Sequence, residues 1–143
     1  MSFVPPRRRA GPALLAFLGY ALLVLLFVWP LPAQLSNRIT GDPAGDAGAY
    51  VWNAYVFSYN LATGLPLFST DRILAFTREA SLALHNNSLI LSALASPLIE
   101  ALGVVASFNV ALILVLILNP FCAYLLARCE TNDEVPSWIA GAL

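Results

Sequence analysis

An all-α integral membrane protein is the fold class this sequence predicts. Composition, two long uncharged apolar stretches and a basic cluster ahead of the first carry the expectation. The 143 residues are 59% hydrophobic and 10% charged, with a mean hydropathy of +0.78. Soluble domains carry about 45 to 50% apolar and about 25% charged residues, so a water-soluble fold is disfavoured. Disorder is excluded more firmly, since its signature is low hydrophobicity with high net charge. Seven arginines, no lysine and eight acids give a net charge of -1, which leaves no basic surface for neutralising nucleic-acid phosphates.

Taken in chain order, residues 1–10 form a basic N-terminus, Arg7-Arg8-Arg9, followed by a charge-free stretch from Ala10 to Asn37. Gly11 to Leu31 supplies the roughly 20 apolar residues that a spanning helix needs, and the first span is placed at 11–33. Trp29 fits an interfacial anchor, and Pro30-Leu31-Pro32 a helix stop. Arginines are retained on the cytoplasmic side, so the N-terminus is expected inside and residue 34 onward outside. A cleaved signal peptide is the rival. Its apolar core is normally about 7 to 15 residues, and Leu31-Pro32-Ala33 lacks the small residue wanted three before the cut.

Residues 34–103 form the external loop, too long for a mere connection and expected to hold helices of its own. Residues 47–63, with Gly64 and Pro66 as stop signals, make the first. Tyr50, Ala54, Phe57 and Leu61 share one face, and Trp52, Tyr55 and Tyr59 add aromatic surface beside it. That surface suits a helix at headgroup level or packing against neighbouring membrane helices. Residues 87–102 are apolar but interrupted by Pro97 and charged at Glu100. Such a helix reaches only about 24 Å of the roughly 30 Å hydrocarbon core, so a juxtamembrane or re-entrant helix is expected, with Glu100 facing water. The second span is placed at 104–127, with Ser107, Asn109, Asn119 and Pro120 as structural interruptions. Residues 128–137 are expected as a cytoplasmic loop, and after the Pro136 break 138–143 open a third span. Cys122 and Cys129 lie seven residues apart on one helix, about 10.5 Å, which is too far for a disulfide.

Chemistry concentrates in the external loop. Gly41-Asp42-Pro43-Ala44-Gly45-Asp46 is turn chemistry with Asp46 in an N-cap position. Two carboxylates on a glycine-flexible turn also form a candidate general base, or ligands for a hard divalent cation such as Mg or Mn. Asp71-Arg72 and Arg78-Glu79 read as balanced surface charge, with Arg72 and Arg78 as candidate phosphate partners. His85, beside Asn86 and Asn87, lacks the spacing of a zinc site. There is no glycine-rich phosphate loop and no nucleophile elbow, so ATP hydrolysis and serine-type chemistry have no support.

The series runs from an N-terminal span to the acidic turn with Tyr50, Trp52 and Asn53 behind it. Gly64 to Phe68, Leu82 to His85, Ser96 to Leu98 and the closing Tyr124 to Arg128 follow in order. The whole series resembles the start of a GT-C fold membrane glycosyltransferase of the large bacterial type. The resemblance implies sugar transfer from a polyprenyl-phosphate donor at the outer face of the plasma (inner) membrane. The partners would be the bilayer, the lipid-linked donor and the remainder of the same polypeptide, so the fragment alone is expected to be inactive. It implies that Asp46, with Asp42 second, acts as catalytic base or helps hold a metal, with Arg72, Arg78 and His85 near the substrate. Thr77-Arg78-Glu79 departs from the turn usual in that family. The alternative from a different class is a non-catalytic multi-pass protein, a glycopolymer-assembly accessory or a transporter subunit. A transporter would carry paired repeats, and none is visible.

Overall fold

The computed structural model describes residues 10–42, 44–72, 80–82 and 88–143, and the chain in them is mostly helical. In order these are α1 (Ala10–Phe27), a 3-10 turn (Leu31–Ala33), α2 (Asp46–Thr63), β1 (Ser69–Thr70) and β2 (Ala80–Ser81). There follow α3 (Leu89–Ala95), a 3-10 turn (Ser96–Leu98), α4 (Ile99–Leu102), α5 (Val104–Thr131) and α6 (Glu134–Ala142).

Among the described residues one helix is long and apolar enough to cross a membrane: α5, with 28 residues. At 1.5 Å per residue it is about 42 Å long, longer than the roughly 30 Å hydrocarbon core. Pro120 lies inside it, and a proline there is tolerated where neighbouring groups take up the freed carbonyl. The expected first span, 11–33, is a shorter helix. α1 stops at Phe27, and the chain turns through a cis Trp29-Pro30 bond into the 3-10 turn. The prolines at 30 and 32 cannot continue the hydrogen-bond ladder. In α1, Leu14, Leu15, Leu18, Leu22, Leu23, Leu26 and Phe27 are all more than half exposed.

The chain divides into two compact units, 29–113 and 1–28 with 114–143. In the first, α2, α3 and the start of α5 close on Ala54, Ala95, Phe108 and Ala111, flanked by Tyr50, Val51, Leu91, Leu94 and Leu112. Three alanines among four core residues let the helix backbones approach closely, as membrane helix packing favours. In α2 the buried residues are Asn53, Ala54, Val56, Phe57 and Asn60, whereas Leu61, expected on that face, is 57% exposed. The burial stripe follows i, i+3, i+4 and i+7 from Asn53 and includes two amides that a hydrophobicity criterion rejects. Gly64 ends α2 in the left-handed region, φ +72°, and its N–H donates to the Asn60 carbonyl. Asn60 Nδ2 then donates to the Pro66 and Ser69 carbonyls, each at 2.8 Å. This latch holds β1, which pairs antiparallel with β2 in the register Ser69↔Ser81 and Thr70↔Ala80. Of the expected 87–102 helix, residues 88–102 are described and divide into α3, a turn at Pro97 and α4, with Glu100 exposed.

The second unit packs Ala16, Tyr20 and Tyr124 with Ala13, Phe121, Leu125 and Trp138. Phe17 meets Phe121 edge to face at 5.3 Å, and Tyr20 lies 5.1 Å from the Trp138 ring. The Tyr20 hydroxyl donates to the Trp138 carbonyl at 2.9 Å. A Cβ on Gly19 would come within 2.6 Å of Trp138, and one on Gly141 within 2.6 Å of the Pro120 carbonyl. Tyr124 Oη donates to Glu134 Oε2 at 2.9 Å, and Glu134 pairs with Arg128 at 2.6 Å. The expected loop at 128–137 is therefore corrected. α5 runs on to Thr131, and α6 begins at Glu134, not after Pro136. Asp133 caps α6 by accepting the Val135 N–H at 3.1 Å. Pro136 stands in the first turn, where its missing N–H has no intrahelical partner to lose.

Candidate functional site

The acidic turn lies in the 29–113 unit, where 34–42 leads into α2. Asp42 folds back on itself: its Oδ1 accepts the Ala44 N–H at 2.9 Å, and its carbonyl accepts the Gly45 N–H at 3.1 Å. This is the side-chain turn that aspartate forms in preference to helix. Gly41 precedes it in the left-handed region, φ +97°, a conformation costly for residues with a Cβ. A Cβ on Gly45 would stand 3.6 Å from Asp42 Cβ.

Asp46 differs from the N-cap expectation. Gly45 occupies the cap without a side-chain hydrogen bond, and Asp46 is the first residue of α2. Its carboxylate is exposed, next to the unpaired N–H groups and positive end of the helix dipole, which stabilise an anion there. Asp46 is thus a solvent-facing carboxylate, while one oxygen of Asp42 is committed to the turn. Among the described residues no group of three or more His, Cys, Asp or Glu side chains is arranged to hold a metal ion.

Beside the turn lies a cleft of about 550 Å³ lined by Ser36, Asn37, Arg38, Ile39, Gly41 and Val105. Its wall is fixed from α5: Asn109 Nδ2 donates to the Leu35 carbonyl at 2.7 Å and to the Arg38 carbonyl at 2.6 Å. Two carbonyl partners define which amide atom is the nitrogen. Asn109 is fully buried, and its Oδ1 has no partner among the described residues. Val105 stands one turn before Asn109 on the same helix face. Sequence reasoning left both Arg38 and Asn109 out of the site. The available signal was an amide inside the apolar membrane-length helix, whose donors must find partners.

Arg72 is placed at the other end of α2. Its Nη1 donates to Tyr55 Oη at 2.9 Å, and its guanidinium lies 4.0 Å from the Tyr59 ring centroid and 5.9 Å from that of Tyr55. Hydrogen bonding with the Tyr59 side chain, against an opposing loss of hydration, pushes its already high pKa upward, and the charges of Tyr55, Tyr59 and Asp71 add to this. Arg72 is therefore cationic throughout the physiological range and held by an aromatic pair whose rings stack 6.3 Å apart. Arg78 and His85 lie outside the described residues. Cys122 and Cys129 are exposed and form no disulfide with each other.

No family model matches the chain, and no curated protein or solved structure matches it.

Proposed function

We propose that this chain carries the acidic external loop of a membrane glycosyltransferase. The enzyme would transfer a sugar from a polyprenyl-phosphate-linked donor to an acceptor hydroxyl at the outer face of the plasma membrane. The observation that carries the reading is the exposed Asp46 carboxylate at the head of α2, in the same unit as a cleft lined by an arginine. A glycosyl transfer needs a base for the acceptor hydroxyl and positive charge for the departing phosphate. Asp46 is the base in this proposal. Asp42 builds the turn that presents it, and its remaining oxygen can share a divalent cation such as Mg or Mn with Asp46. α1 serves as a first membrane segment, with Arg7, Arg8 and Arg9 ahead of it on the cytoplasmic side, and α5 as the second, which would put residues 34–103 outside. The aromatic belt of Tyr55 and Tyr59 with Arg72 suits a helix lying among lipid headgroups.

The test is sugar transfer by the full-length protein in proteoliposomes. Asp46→Asn, with unchanged membrane levels, is expected to lower the rate about 10²- to 10⁴-fold, the usual worth of a positioned base. Asp42→Asn is expected to cost less, because an asparagine side chain can still accept the Ala44 N–H. Undiminished transfer by Asp46→Asn removes that residue as the base.

A further inference from the structure

We propose that the cleft between the 36–41 segment and Val105 is a phosphate-binding site whose cation is Arg38. Its ligand is the phosphate of an anionic amphiphile lying at the membrane surface.

Four observations point to it. The cleft, about 550 Å³, is large enough for a phosphate with part of its substituent, and three of its six lining residues are polar: Ser36, Asn37 and Arg38. Those three bring a hydroxyl, an amide and a guanidinium, the donor set that phosphate oxygens require. Arg38 is exposed and carries no ion pair, since Arg128 with Glu134 forms the single salt bridge among the described residues. Its charge is therefore not cancelled by Asp42 or Asp46. Arg72, the arginine singled out by sequence, is by contrast spent on two tyrosines.

The fourth observation is preorganisation. Asn109 grips the carbonyls on either side of Ser36 and Asn37, those of Leu35 and Arg38. The segment bearing the three donors is thus fixed to a membrane-length helix before any ligand arrives. Binding then costs little ordering entropy beyond that of the Arg38 side chain itself. Ile39 and Val105 add an apolar rim, which suits the first carbons of an ester chain. A free phosphate ion and a lipid headgroup share this chemistry, and the apolar rim favours the lipid.

The assignment rests on the donor-phosphate part of the function proposed above. It is measured as binding without turnover, so its failure is distinguishable from failure of the transfer reading. Titration calorimetry of the full chain in neutral maltoside micelles would use hexyl phosphate, inorganic phosphate and the uncharged hexyl glucoside. Hexyl phosphate is expected to bind, hexyl glucoside not, and Arg38→Gln to weaken hexyl phosphate about 10- to 100-fold, as for a charge-assisted hydrogen bond. Arg38→Lys is expected to recover most of the affinity, since an ammonium serves phosphate as a point charge. Competition by inorganic phosphate would identify the free ion as a second source of the same chemistry. Binding of hexyl phosphate without such competition would identify the lipid ester. Equal affinity of Arg38→Gln and wild type for hexyl phosphate, or equal binding of hexyl glucoside, would overturn the proposal.

Discussion

Replacement of Asn109 perturbs the link between α5 and the 34–42 segment most directly. Its Nδ2 makes two hydrogen bonds, at 2.7 and 2.6 Å, to carbonyls more than seventy positions away in sequence. Each is worth about 0.5 to 1.5 kcal/mol net, so Asn109→Leu, close in volume, forfeits roughly 2 kcal/mol. The half-buried Leu35 carbonyl is left with no donor, whereas the one at the exposed Arg38 can turn to water. Against that, the substitution also removes the unpartnered buried Oδ1, a gain of about 1 kcal/mol. The expected net loss is therefore about 1 kcal/mol. Asn109→Asp is expected to cost more than Asn109→Leu, because an ionised carboxylate would face two carbonyl oxygens with nothing to donate. The assay is reversible unfolding of the full chain in mixed micelles, followed by helical circular dichroism. Equal stability of wild type and Asn109→Leu, within about 0.3 kcal/mol, or a ranking of Asp above Leu, would refute the latch.

The glycines give further outcomes in the same assay. Gly141→Ala, whose Cβ would stand 2.6 Å from the Pro120 carbonyl and also meet Tyr20 Oη, is expected to cost about 1 to 3 kcal/mol by overpacking. Gly11→Ala, with nothing within 4 Å, is the control and is expected to be neutral or slightly stabilising. Gly64→Ala is expected to lose about 1 kcal/mol, because φ +72° puts a Cβ in the left-handed region. Asn60→Ala releases the Pro66 and Ser69 carbonyls and is expected to raise amide exchange across β1 before it lowers global stability.

What was legible in the sequence is what short-range rules decide. The C-terminal end of α2 is written in Gly64, and α5 announces itself by an uncharged run of membrane length. The acidic turn was visible as turn chemistry, and Asp42 closes it through its own backbone neighbours. What stayed hidden depends on partners distant in sequence. Asn60 and Asn109 look like blemishes in apolar helices until their carbonyl partners are in place. Arg38 stands in a polar stretch that periodicity cannot organise, so its cleft emerges only once α5 pins that stretch. Pro136 misled because a proline reads equally as a break or as a first-turn residue, and Asp133 at the cap decides for the second. Leu61 shows the converse error, an apolar residue at helical spacing that the packing leaves outside.

Direct observation of sugar transfer tests the central claim. The full-length protein would be reconstituted in proteoliposomes with a radiolabelled polyprenyl-phosphate sugar in the leaflet facing residues 34–103, and with a nucleotide sugar as control donor. Label is expected to pass to an added acceptor from the lipid-linked donor and not from the nucleotide sugar. Transfer from the nucleotide sugar instead, or from neither donor across a panel of acceptors, would contradict the account.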